Sequence, residues 1–254
     1  MPKSSPIGFF DSGIGGLSVL QQVRKVLPHE NYLYYGDSKN APYGIREPQD
    51  ILELTTKAAQ HLLGLGIKAL VIACNTATGV SLESLKSSLP IPVLGIQPAL
   101  AAAQSLRKGG KILALATPAT FKTERFKALM AQHGEEVIVL PAPGLMDFVE
   151  KGELTGDKLD AFLFGLFLPY AHTPVDVIVL GCTHYPFLKE AIAKYFPDAQ
   201  QIDDSPRVAG ELEDILQTKN LLNLQQVKGE LKLMSSGGDE AVARMRSLYE
   251  AFDV

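Results

Sequence analysis

Ala69-Leu70-Val71-Ile72-Ala73-Cys74-Asn75-Thr76 is an apolar run that ends in a thiol and two small polar side chains, and Val177-Ile178-Val179-Leu180-Gly181-Cys182-Thr183-His184 repeats the pattern 108 positions later. Short strands that are apolar throughout belong to parallel sheets covered by helices on both faces. The two runs read either as a divergent duplication or as a chance match of two such strands. A duplication gives two α/β lobes whose strand ends line the cleft between them, where ligands of open α/β sheets bind. The two thiols then oppose one another.

Outward from these runs, β-rich segments alternate with helical patterns. Candidate strands are Ile7 to Phe10, Tyr32 to Tyr35, Ala69 to Ala73 and Pro92 to Gly95. A second set follows at Lys111 to Ala116, Glu136 to Leu140 and Asp176 to Leu180, with weaker signals at Gln201 to Asp203 and Glu230 to Met234. Ile96-Gln97-Pro98 separates the sets. Ile51, Leu54, Ala58 and Leu62 recur at helical spacing and stop at Gly64 and Gly66, a C-terminal signal. Leu188, Ala191, Ile192, Tyr195 and Phe196 trace a second helical stripe, read as core. The fold class expected is α/β, with two similar lobes, each a mainly parallel sheet flanked by helices, and the site in the interlobe cleft.

Composition narrows the function. The 254 residues, 46% hydrophobic and 20% charged, suit one large domain or two smaller ones and exclude disorder. A net charge of −4 without a basic block argues against nucleic acid as the primary ligand. Gly165 and Pro169 interrupt the longest apolar stretch, Ala161 to Ala171, which is too short to span a bilayer. Asp11 breaks the N-terminal apolar run before it reaches signal-peptide length, so a cytoplasmic protein with no membrane partner is expected. A secreted disulfide scaffold would carry more than the two cysteines present, which read as free thiols.

Four strand ends carry small polar residues: Asp11-Ser12-Gly13, Asp37-Ser38, Cys74-Asn75-Thr76 and Cys182-Thr183-His184. Hydroxyls, amides and helix N–H groups hold a carboxylate without lysine or arginine, although each such residue alone is equally a helix cap. Gly13-Ile14-Gly15-Gly16 falls short of a dinucleotide loop, because Ser18 stands where the third glycine belongs. These glycines read instead as a tight turn allowing a smaller ligand close to the backbone. The cysteines and five scattered histidines have no metal-site spacing, so no metal is expected. One thiol suffices for a cysteine hydrolase. Two at matching positions suit proton removal from one face of a carbon and delivery to the other. A free thiol is only about 3% ionised at pH 7, so each needs a helper. Asp11 in the first lobe, His184 in the second and Glu150 as a further cleft carboxylate are the candidates.

Phe10-Asp11-Ser12-Gly13-Ile14-Gly15-Gly16-Leu17-Ser18-Val19, Tyr35-Gly36-Asp37-Ser38, Pro42-Tyr43-Gly44 and the two cysteine motifs together resemble the glutamate racemases, bacterial enzymes that supply D-glutamate for peptidoglycan. The resemblance runs from Ile7 to Ser236-Gly237-Gly238-Asp239. It implies racemisation without a cofactor, Cys74 taking the proton from D-glutamate and Cys182 from L-glutamate. It also implies that Asp11, Ser12, Tyr43, Gly44, Asn75, Thr76, Thr183 and His184 contact the substrate, and that Asp11, His184 and Glu150 tune the thiols. Near Glu150 this chain departs from the family, with Asp147 where proline is common. The resemblance further implies that the tail returns to the first lobe, so that residues 1–97 with 211–254 are the expected first lobe and 98–210 the second, with a homodimer left open as the assembly. Other readings are a racemase of aspartate or a related acidic amino acid, a non-catalytic two-lobed amino-acid-binding protein, and a thiol hydrolase.

Overall fold

Nine strands form among the described residues and pair into two separate sheets, parallel throughout. The computed structural model describes residues 2–252, so Met1 and residues 253–254, assigned above to the first lobe, lie outside the described residues. The first sheet contains β1 (Ile7–Asp11), β2 (Tyr32–Gly36), β3 (Ala69–Ile72), β4 (Val93–Gly95) and β9 (Leu231–Ser235) in the order β4-β3-β1-β2-β9. The second contains β5 (Lys111–Ala116), β6 (Val137–Pro141), β7 (Val175–Leu180) and β8 (Gln200–Ile202) in the order β6-β5-β7-β8. Every candidate strand is present, its ends within a residue of those read from the sequence. The central strands are apolar throughout because helices cover both their faces.

The helices are α1 (Leu17–Val26), α2 (Pro48–Gly64), α3 (Asn75–Ser88), α4 (Leu100–Leu106), α5 (Pro118–Lys122) and α6 (Glu124–His133), then α7 (Leu145–Lys151), α8 (Asp157–Phe167), α9 (Lys189–Ala193), α10 (Ser205–Thr218) and α11 (Gly238–Ala251). Helix α2 buries Ile51, Ala58 and Leu62 and ends at the glycine signal, with Gly66 at φ +80°. The stripe from Leu188 to Phe196 is not one helix. A 3₁₀ turn over Tyr185–Leu188 leads into the five residues of α9, and Tyr195 and Phe196 lie beyond its end. Pro197 disfavours helical backbone at the residue before it. Phe196 is core nonetheless, packed edge-on against Phe167.

After β4 the chain leaves the first sheet, builds the second and returns. Helix α10 packs against α1, and β9 pairs with β2, Tyr32 opposite Leu231. One continuous core runs between the sheets, joining Ile14 and Leu17 to Val149, Tyr185 and Phe187, while smaller clusters cover the outer faces. No helix among the described residues is long and apolar enough to cross a membrane.

Candidate active site

Parallel pairing brings the C-terminal ends of β1 and β3 to one edge of the first sheet, and those of β5 and β7 to one edge of the second. Cys74 and Cys182 each lie two residues past their strand, both are buried, and both line one cavity with Ser12, Asn75, Thr117 and His184. Gly44, Thr76 and Thr183 complete much of the wall, and no lysine or arginine is in it. The space measures about 10 Å³, room for one water at most.

Cys74 is the N-cap of α3, its Sγ accepting from the Ala77 N–H at 3.5 Å. The Asn75 and Thr76 N–H groups, in the first helical turn, have no intrahelical acceptor and sit beside the cavity. Ser12 Oγ is 3.5 Å from the same sulfur. Burial, followed by the charge of Asp11, pushes the Cys74 thiol up to about 12.

Cys182 has a different neighbourhood. Its Sγ is 3.6 Å from His184 Nδ1, while His184 Nε2 is 2.8 Å from Glu150 Oε1. Glu150 comes from α7 and also accepts from the Ile14 N–H of the β1–α1 loop at 2.9 Å. Burial works against a charged imidazole, yet the bonds to Cys182 and Glu150 prevail and hold His184 well above its ordinary value. Burial likewise works against the Glu150 carboxylate, and the His184 bond prevails to hold it below its ordinary value. The pair reads as imidazolium and carboxylate within the second lobe, and the Ile14 N–H bond to Glu150 ties it to the first.

Asp11 is fully buried and accepts from the Gly13 N–H at 2.9 Å and from Thr183 Oγ1 at 3.0 Å. Burial outweighs these bonds and the His184 charge, so its carboxyl lies above its ordinary value. Its described hydrogen bonds do not reach Cys74; Ser12 occupies that position. The glycine turn needs correction too. A side chain on Gly13 would strike the Glu150 carboxylate, and one on Gly15 would strike the His184 ring. The close approach these glycines permit is thus by the protein's own His184–Glu150 pair.

Gly44 reaches the cavity through its backbone, whereas the Tyr43 phenol is buried and donates to Asp37 Oδ2 at 2.6 Å. Sequence reasoning missed Thr117 and Met146 in the wall, and Thr120 behind it. Thr76, Thr117 and Thr120 hydroxyls form a ring with oxygens 2.9 to 3.1 Å apart. The signal was there for Thr117, since Ala116-Thr117-Pro118 is another polar strand end entering a helix. Asn75 Oδ1 is buried without a partner, an acceptor facing a site with a donor still to come.

Comparison with known proteins adds an independent line. The family model described as Asp/Glu/Hydantoin racemase matches residues 17–209. The glutamate racemase of Clostridium botulinum (strain Alaska E43 / Type E3) is 43% identical over 247 residues, 96% of this chain and 96% of that protein. A glutamate racemase structure from Bacillus anthracis aligns at TM-score 0.88 and 31% identity, covering 99% of this chain and 96% of that one. One from Francisella tularensis subsp. tularensis, in complex with D-glutamate, aligns at TM-score 0.82 and 28% identity, covering 98% and 93%.

Proposed function

The chain belongs to the Asp/Glu/Hydantoin racemase family and, by likeness over nearly its whole length, to the glutamate racemases within it; from that premise we propose that it interconverts L- and D-glutamate, with Cys74 and Cys182 exchanging the α-proton from opposite faces. One observation carries the mechanism: two buried thiols, at matching strand ends of two sheets, share one cavity. The D-glutamate formed supplies peptidoglycan synthesis. Residues 1–97 with 211–254 and residues 98–210 are the lobes that deliver the thiols, a division supported by the pairing of β9 with β2. The free thiols support a reducing, cytoplasmic setting.

The substrate carboxylate meets the free N–H groups of Asn75 and Thr76 at the positive end of α3. Asn75 Oδ1 accepts from the substrate ammonium. That positive charge also favours a thiolate at Cys74, offsetting the burial that raises it. From L-glutamate, the Cys182 thiolate takes the α-proton and becomes a thiol, and the C–H electron pair moves toward the carboxylate. The Cys74 thiol then gives its proton to the opposite face and is left as thiolate. From D-glutamate the roles reverse. The His184 imidazolium presents its Nδ1–H to the Cys182 sulfur, which favours the thiolate that must act as base, and Glu150 fixes the ring. A cavity of about 10 Å³ is too small for glutamate, so the lobes must part to admit substrate and close around it again to exclude water from the developing carbanion.

The test is to incubate purified protein with L-glutamate in EDTA and follow D-glutamate by chiral chromatography, with L-aspartate in parallel. The expected end point is an equal mixture of glutamate enantiomers and no turnover of aspartate. Activity abolished by EDTA and restored by zinc, a pyridoxal absorbance in active protein, or racemisation of aspartate alone would overturn the proposal.

A further inference from the structure

We propose that Asp37 is a positioning residue that holds the Tyr43–Gly44 backbone against the catalytic cavity. The inference rests on the glutamate reading above and names how one wall of that site is set. Asp37 follows β2, and its N–H donates to the Asp11 carbonyl at 2.9 Å, which places it on the same sheet edge as the Asp11-Ser12 turn. The residue is 4% exposed, yet no described ion pair meets its carboxylate. Neutral donors satisfy it instead: the Tyr43 hydroxyl at 2.6 Å and Asn40 Nδ2 at 3.0 and 3.1 Å. Capping, the usual task of an Asp past a strand, is not its role, because its described partners are side chains only.

Burying a carboxylate with neutral donors alone is costly, and the bonds that make it tolerable are charge-assisted and directional. Here they close residues 37–46 on a single hub. The Asn40 N–H donates to the Asp37 carbonyl at 3.0 Å, Arg46 Nε donates to the Asn40 carbonyl at 2.8 Å, and the Arg46 N–H donates to the Tyr43 carbonyl at 3.1 Å. Burial, reinforced by the Asp37 bond, keeps the Tyr43 phenol protonated and hence a donor. What this closure fixes is Gly44. Its backbone lines the cavity and lies so near the other lobe that a Cβ on it would stand 2.7 Å from Thr117 Cβ. Thr117 belongs in turn to the hydroxyl ring with Thr76 and Thr120. Releasing the loop therefore displaces a wall that meets the substrate in ground and transition states alike, which weakens binding more than it slows turnover.

The experiment measures kcat and KM for both enantiomers, with thermal midpoints, in full-length Tyr43→Phe, Asp37→Ala, Asp37→Asn and Asp37→Ala/Tyr43→Phe. We expect KM to rise roughly tenfold or more in Tyr43→Phe and Asp37→Ala while kcat falls by less than about threefold. The double variant should be no worse than Asp37→Ala, because the Tyr43–Asp37 bond that Tyr43→Phe removes is already lost in Asp37→Ala. Asp37→Asn keeps an acceptor for the phenol and should recover most of the KM. A lowered thermal midpoint with unchanged KM, or additive effects in the double variant, overturns the inference. Should Asp37→Ala fail to fold, Tyr43→Phe decides, and an unmoved KM overturns it. Wild-type protein inactive on glutamate overturns the substrate reading and this inference with it, whereas active wild type with unmoved KM values overturns this inference alone.

Discussion

Of the two thiols proposed to exchange the proton, Cys74 makes the harder demand, since burial pushes it up to about 12 in the substrate-free protein. At that value the thiolate fraction at pH 7 is on the order of 10⁻⁵ and grows tenfold with each pH unit. Ultraviolet thiolate absorbance of Cys74, read as the difference between wild type and Cys74→Ala, should rise about tenfold per unit between pH 7 and 10. A plateau reached below about pH 9 would contradict this electrostatic account. Cys74, Asn75, Thr183 and His184 were legible in the sequence because each follows an unmistakable apolar strand. The partner of each was not. Ser12 rather than Asp11 touches Cys74, and the Glu150–His184 bond joins residues 34 positions apart on separate elements. Such pairings depend on how elements pack, which no local pattern records.

Helix α7 shows what elements add. It is bounded by Gly144 at φ +86° and Gly152 at φ +74°, a left-handed conformation that glycine adopts without steric cost. From this short helix Glu150 reaches the glycine turn of the other lobe. Glu150 is held below its ordinary 4.5, so its contribution to stability is present above that value and is lost as pH falls through the folded value. His184 is held above its ordinary 6.5, so its contribution is full below 6.5 and is lost as pH rises through the folded value. Both are present between 4.5 and 6.5. Glu150→Gln should therefore lower the thermal midpoint most in that window, on the order of 5 °C, with the deficit shrinking toward acid and toward alkali. A deficit independent of pH would show that the bond is not ionic. Gly15→Ala tests the same junction from the other side. The His184 ring must move to make room, and racemisation should fall on the order of 10²-fold. Near-normal activity would remove the turn from the site. The central strands were legible to within a residue because burial on both faces makes them almost wholly apolar, whereas the stripe ending at Phe196 misled, since apolar spacing cannot tell a helix from a short turn packed into the core.

At the scale of the molecule, two parallel sheets share one core and meet over a cavity closed to about 10 Å³. The paired thiol-ended strands made the two lobes legible, but the return of the tail to the first lobe came only from family resemblance, and its pairing with β2 only from the structure, because strand order leaves no local trace in sequence. Gly44 of one lobe abuts Thr117 of the other beside the cavity, and the proposed entry of substrate is by opening of this seam. Saturating glutamate should then slow amide hydrogen exchange in residues 43–46 and 117–123, and at about a hundredfold excess over Kd stabilise the fold by roughly 2.7 kcal/mol. Exchange unchanged at the seam would contradict entry there. The central claim, that each lobe supplies one thiol to one face of the substrate, is tested most directly by α-carbon deuteration in D₂O. L- and D-glutamate are offered separately to wild type, Cys74→Ala and Cys182→Ala. The account predicts exchange from both enantiomers in wild type, from L-glutamate alone in Cys74→Ala and from D-glutamate alone in Cys182→Ala, with racemisation lost by at least about 10²-fold in both variants. Equal exchange from both enantiomers in either variant, or racemisation retained without one thiol, would contradict it.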